Sequence, residues 1–134
     1  MNKAEEQHCI AFANWLNFQG LKFTHVVNEV GGAVTERFRA QREGARLKRV
    51  GKSSGVPDYM ILTHKGIVWV EMKDPACKLK KGDVMEGWTT QKRRGGLYRE
   101  QYEWILAINE VPGTQAAVCY GADEAVEFVT KILK

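Results

Sequence analysis

A chain of 134 residues, 44% apolar and 27% charged, suits one globular domain with a single core and excludes a disordered or fibrous protein. No apolar run reaches the roughly 18 residues that a membrane span needs, and the N-terminal "MNKAEEQHC" has no apolar signal-peptide core, so a soluble, cytoplasmic protein is expected, with no membrane partner. The formal charge of +4 is gathered in two patches, "ERFRAQREGARLKRVGK" (36–52) and the Lys/Arg-rich stretch between Lys78 and Gly96, as suits a protein that meets a phosphate backbone.

The first element is a helix. In "AEEQHCIAFANWLNFQG" the residues Cys9, Phe12 and Leu16 share one stripe, Glu5 extends that stripe, and Gly20 ends it. "LKFTHVV" predicts a strand and "NEVGG" a loop. From about Val34 to Val50 the pattern is that of a highly charged helix, weakened at Gly44, and "KSSG" reads as a turn. A hairpin follows over 55–73. Residues 74–97 show no clean period and read as a basic loop. "YREQYEWILAINE" is an amphipathic helix stopped by "VPG", and "TQAAVCYG" is a strand. "ADEAVEFVTKILK" closes the chain as a helix with lysines at its C-terminal end, where they suit its dipole. The order α-β-α-β-β-α-β-α predicts one α/β domain over 1–134, a central mixed sheet flanked by helices.

Cys9, Cys77 and Cys119 are odd in number and widely spaced, which indicates neither disulfides nor a zinc site. Cys9 and Cys119 are expected in the core, and Cys77 as a loop thiol. His8, His25 and His64 fall on a helix, a strand and a turn, and no catalytic part is assigned to them.

The hairpin "GVPDYMILTHKGIVWVEMK" carries the charges that need explaining. Centring its turn between His64 and Lys65 pairs Leu62 with Ile67, Met60 with Trp69 and Asp58 with Glu71. Side chains alternate faces along a strand. One face then holds Asp58, Met60, Leu62, Ile67, Trp69, Glu71 and Lys73; the other holds Tyr59, Ile61, Val68, Val70 and Met72. Both are mainly apolar, so both are expected to be covered. His-Lys is not a favoured two-residue turn, so a four-residue "THKG" loop is expected; a bulge at Gly66 would instead set Asp58 diagonally from Glu71. Opposed carboxylates, with Cβ atoms roughly 4.5–5.5 Å apart, destabilise a strand pair unless a proton, a cation or a metal compensates. Lys73 lies on the same face and can neutralise one charge. Two carboxylates with backbone and water oxygens also make a good donor set for Mg²⁺. A Glu-x-Lys pattern alone is common, and its bland reading is a surface ion pair at a strand end. Preceded by Pro-Asp on the partner strand it is far more specific.

"VPD" (56–58) and "EMK" (71–73) resemble the two halves of the PD-(D/E)XK nuclease signature. More narrowly, the sequence resembles the VRR-NUC family. That family's helical Glu matches Glu5, its Asn after the first strand matches Asn28, and its "GvPD" matches Gly55 to Asp58. Its E-x-K matches Glu71 with Lys73, and its Gln opening a helix shortly before a Trp matches Gln101 and Trp104. The closing "AVCYGADEAVEFV" resembles the family's last strand and helix. The likeness spans nearly the whole chain and departs between E-x-K and the Gln, where the family has a short loop and this chain runs from Asp74 to Glu100, its basic 74–97 part reading either as an inserted DNA-contacting arm or as a disordered segment.

The resemblance implies a restriction-endonuclease-like core and a Mg²⁺- or Mn²⁺-dependent endodeoxyribonuclease with no other cofactor. It implies a homodimer acting on branched DNA such as Holliday junctions, in the cytoplasm of a bacterium or of a virus's host. A less selective flap or duplex nuclease and a catalytically inactive DNA-binding module are the alternatives. Asp58, Glu71 and the Met72 carbonyl would hold the metal. Glu5 would join them directly or through water, with Glu6 as the alternative bearer of that role. Lys73 would orient the attacking water or stabilise charge on the phosphate. Gln101 would bond the water, Lys73 or a phosphate. Asn28 and Glu29 either join the site or serve a turn. Arg37, Arg39, Arg42, Arg46 and Lys48, with Lys92, Arg93 and Arg94 of the long segment, are expected on phosphates, which gives position rather than base specificity. Trp88 is the candidate for stacking on unpaired bases; Trp15, Trp69 and Trp104 are expected in the core or at an interface.

Overall fold

The structure, a computed structural model, describes residues 3–26, 45–46, 49–51, 53–78, 93–94 and 96–134. Most of the helix expected over 34–50 falls outside them, as do Asn28, Glu29, Arg37, Arg39, Arg42, Lys48, Trp88, Lys92 and the side chains of Arg93 and Arg94. Among the described residues no helix is long and apolar enough to cross a membrane.

Helix α1 (Lys3–Phe18) buries Cys9, Phe12 and Leu16, the stripe that the helical period sets. It ends at Gly20, whose left-handed φ of 72° lets the chain turn into strand β1 (Lys22–His25). The hairpin is β2 (Tyr59–Thr63) and β3 (Gly66–Lys73). A short 3₁₀ turn (Pro75–Cys77) follows, then a two-stranded ribbon, β4 (Arg93–Arg94) with β5 (Leu97–Tyr98). Helix α2 (Arg99–Asn109), strand β6 (Thr114–Tyr120) and helix α3 (Ala122–Leu133) complete the chain. The sheet order is β1-β2-β3-β6. Its first three strands are antiparallel and β6 is parallel to β3, so the sheet is mixed, as expected. The basic stretch read as a loop is structured at both ends: Asp74 Oδ1 accepts the Ala76 N–H at 3.0 Å, and Leu97 is fully buried. Cys77 therefore sits on a 3₁₀ turn rather than in a loop. Strands of two residues are too short to show a period, which is why the ribbon is invisible in the sequence.

The hairpin pairs Leu62 with Ile67 and Met60 with Trp69. Its turn differs from expectation. His64 and Lys65 alone close it, with Thr63 paired to Gly66 and no bulge. Gly66 makes this possible at φ 125°, and a Cβ there would collide with the Gly113 carbonyl. Thr63 Oγ1 reinforces the turn, accepting the Lys65 N–H at 3.1 Å and donating to the Gly66 carbonyl at 2.8 Å.

Tyr59, Ile61, Val68, Val70 and Met72 project from one face into the main core, against Cys9, Phe12 and Leu16 of α1 and Ala125 and Val129 of α3. Phe12 meets Tyr59 edge-on at 5.3 Å, and the Tyr59 hydroxyl donates to the Cys9 carbonyl at 3.2 Å. Cys119 is buried there too. On the other face α2 packs Ile105 and Ile108 over Trp69, Ala116 and Val118. This second face was expected to be covered throughout, yet Leu62 is 44% exposed. A helix about 10 Å across spans roughly two strands spaced ~4.8 Å apart, so α2 shields β3 and β6 and stops short of β2 among the described residues.

Candidate active site

The site forms where β2 begins and β3 ends. Asp58 directly precedes β2, and its carbonyl accepts the Val26 N–H at 2.6 Å, which ties it to the chain leaving β1. Its side chain turns the other way: Oδ2 accepts the Met72 N–H at 2.9 Å. Asp58 thus takes the place of a ladder partner for β3. The residue opposite Met72 in this register is Pro57, which has no N–H to give. The N–H and C=O of one strand residue point to the same edge, so the Met72 carbonyl also faces the Pro57–Asp58 edge.

Among the described residues Glu71 is the most deeply buried charged one, at 2% exposure. One oxygen is fully served: Oε1 accepts from Gln101 Nε2 at 3.0 Å and faces Lys73 Nζ at 3.4 Å. The other, Oε2, is buried with no hydrogen-bond partner. Leaving such an oxygen unpaired is costly unless something absent from the chain itself completes it. Burial first, and the Asp58 charge second, push the Glu71 carboxyl up to about 8; Lys73 pulls the other way. Burial also raises Asp58, opposed by the Met72 N–H and by Lys73. Glu5 of α1 stands within electrostatic range of Lys73, Asp58 and Asp74, and burial raises it as well. Lys73 is itself buried, at 9% exposure, and its stem is roofed by Gly96, where a Cβ would stand 3.5 Å from Lys73 Cδ.

Gln101 reaches this centre from the first turn of α2. Its Oε1 accepts the Tyr98 N–H at 2.9 Å, an orphan donor of the helix start. With the carbonyl end held there, the amide N–H₂ is aimed at Glu71. The sequence had Gln101 bonding the water, Lys73 or a phosphate; here its partner is the Glu71 carboxylate.

Asp58, Glu71, Lys73 and Gln101 are therefore brought together, with the Met72 carbonyl on the same edge and Glu5 within electrostatic range. Arg46 is exposed, on a short helical turn. Of the other expected phosphate contacts, Arg37, Arg39, Arg42, Lys48 and Lys92 lie outside the described residues, as do the side chains of Arg93 and Arg94. His8 is structural, its Nδ1 accepting the Ala122 N–H at 2.9 Å. Sequence reasoning missed what holds the Asp58 lead-in: Trp104 Nε1 donates to the Ser54 carbonyl at 3.1 Å, and Gly55 lies against the backbone of Glu100 and Gln101. The three-residue spacing of Gln101 and Trp104, which sets both on one side of a helix, was the available signal.

Among the described residues no three His, Cys, Asp or Glu side chains gather as a ready-made metal cage. Two carboxylates and a carbonyl nonetheless form an all-oxygen set, and the orphaned Glu71 Oε2 is the lone-pair donor that a hard divalent cation would complete.

A mixed sheet with helices on both faces makes this an α/β fold, with an acidic pair at the mouth of its hairpin and a lysine beside them. Comparison with solved structures narrows this: a VRR_NUC domain protein matches with a TM-score of 0.63, over 99% of this chain and 90% of its own, at 18% identity. At that identity the likeness is one of fold: the chain has the fold of that VRR_NUC domain protein. No protein-family model and no curated protein matches the sequence.

Proposed function

We propose that this chain is a Mg²⁺- or Mn²⁺-dependent endodeoxyribonuclease that hydrolyses phosphodiester bonds in branched DNA. The observation that carries the reading is the buried Glu71 carboxyl, its Oε2 without a hydrogen-bond partner, within electrostatic range of a second acid, Asp58, and with Lys73 alongside. Asp58, Glu71 and the Met72 carbonyl would hold the cation, with Glu5 behind them. The cation would supply Lewis-acid charge at the scissile phosphate and acidify an attacking water.

The chain's own groups do the rest. Asp58 is oriented by the Met72 N–H and Glu71 by the Gln101 amide, so both acids are fixed before anything binds. Lys73 brings a positive charge with little access to water, where it offsets charge that grows on the phosphate oxygens during attack. The basic segments 36–52 and 78–96 supply sequence-independent attraction to DNA. Preference for four-way junctions and action as a homodimer rest on the family resemblance and the small size of the chain.

The deciding experiment incubates the purified protein with labelled four-way junctions, flaps, nicked duplex and linear duplex, with Mg²⁺, Mn²⁺ or EDTA, and measures its solution mass alongside. Metal-dependent cutting of the junction by a dimer is expected. Equal cutting of linear duplex would reject junction selectivity, and binding without cutting on every substrate would make the chain a DNA-binding module.

A further inference from the structure

We propose that α2 is a two-point clamp on the acidic pair, and that Trp104 is a positioning residue for Asp58. Gln101 and Trp104 are three residues apart and so share one side of the helix. Each holds a different acid. Gln101 bonds the Glu71 side chain directly. Trp104 works at a distance, its indole N–H donating to the Ser54 carbonyl at 3.1 Å, four residues before Asp58. Asp58 itself lies outside β2, on a lead-in that enters the sheet only at Tyr59.

That lead-in is stiff enough to transmit the hold. Gly55 is wedged against α2: a Cβ at its position would stand 2.9 Å from the Glu100 carbonyl carbon and 3.0 Å from the Gln101 nitrogen. Pro57 is fully buried and fixes its own φ. Between the Trp104 tether and the Asp58–Met72 bond the chain has little room to shift. The helix that orients Glu71 therefore sets the separation of the two carboxylates, and both sides of the metal position move as a unit with α2. An indole suits this task, because its ring packs with Trp69 and Val118 around Ile105, Ile108 and Ala116 while its single donor faces the lead-in.

The inference rests on the proposed metal site, but its test does not depend on it. Trp104→Phe keeps a packed ring and removes the donor. Amide hydrogen exchange, read by NMR on the metal-free full chain, then reports on Asp58 through the Met72 N–H that it accepts. Exchange at Met72 should quicken about tenfold or more relative to Val70, the neighbouring inward residue of β3. An unchanged ratio of Met72 to Val70 would overturn the clamp, including the case where both quicken together through general loosening. In parallel, the Mn²⁺ midpoint of thermal stabilisation should shift upward on the order of tenfold in the variant, as for other groups that orient metal ligands, and excess Mn²⁺ should restore the wild-type shift. A wild-type chain that Mn²⁺ does not stabilise would overturn the metal reading alone, with the exchange ratio still deciding the clamp.

Discussion

Gln101 donates to Glu71 Oε1 across 3.0 Å, bridging the first turn of α2 and the end of β3. The bond leaves Glu71 with one satisfied oxygen and one orphan, an asymmetric arrangement that would suit the proposed cation. Gln101→Ala removes the donor and frees Glu71 to rotate. Metal affinity, read as the Mn²⁺ midpoint of thermal stabilisation, should weaken about 10–100-fold, with a loss of about 1 kcal/mol of stability from the missing hydrogen bonds. A variant with wild-type metal response would show that Gln101 does not orient Glu71.

The raised Glu71 carboxyl gives the metal-free protein a signed pH dependence. An acid whose folded-state value lies above its unfolded one binds more protons when folded, so its favourable contribution is complete below about 4.5 and is lost as pH rises through about 8. The thermal midpoint without metal should therefore fall across that window. Glu71→Gln, which stays neutral, should flatten the decline and be the more stable protein at its upper end. The same window should see Mn²⁺ stabilisation grow, since the cation competes with the proton for Glu71. A wild-type midpoint that rises from about pH 5 to 8 in EDTA would contradict the assignment.

The hairpin register was legible because two apolar strands with alternating faces admit few pairings that keep Tyr59, Ile61, Val68, Val70 and Met72 together. That register alone put Asp58 beside Glu71. The α1 stripe and the closing helix were legible for the same reason, a period sustained over several turns. What the sequence hid depends on docking between distant segments. The Gln101 bond to Glu71 and the Trp104 bond to Ser54 exist only because α2 lands on β3 and β6 at one depth. The exposed Leu62 was misjudged because strand patterning shows which side is apolar, and not how far one helix reaches. The two-residue turn was misjudged because the residues at its tip, His64 and Lys65, are unremarkable while its enabling glycine, Gly66, sits one place later.

Gly55 illustrates how a backbone position constrains the chemistry. It holds φ 90°, and a Cβ would press within 3.0 Å of the Gln101 nitrogen and the Glu100 Cβ. Gly55→Ala must strain the lead-in or lift the first turn of α2, and either movement separates Gln101 from Glu71. A destabilisation of about 1–3 kcal/mol is expected, together with a weakened Mn²⁺ response. Chemical denaturation with and without Mn²⁺ measures both. An alanine variant of native stability would show that α2 yields freely at this contact.

In the proposed nuclease, Lys73 would separate binding from chemistry. Its ammonium faces Glu71 Oε1 at 3.4 Å and is almost wholly shielded from water, so it contributes little to the long-range pull on DNA that exposed lysines and arginines exert. Lys73→Met preserves the buried stem and removes the charge. Junction binding in EDTA should stay within a few-fold of wild type, while single-turnover cleavage should slow about 10²–10³-fold, the scale of losing one charge-stabilising group in a shielded site. The same substitution removes the cation that counters burial at Glu71 and so pushes that carboxyl higher still. Metal-dependent cleavage in the variant should therefore recover partly as pH is raised. A variant that cuts at the wild-type rate at every pH would exclude Lys73 from the reaction.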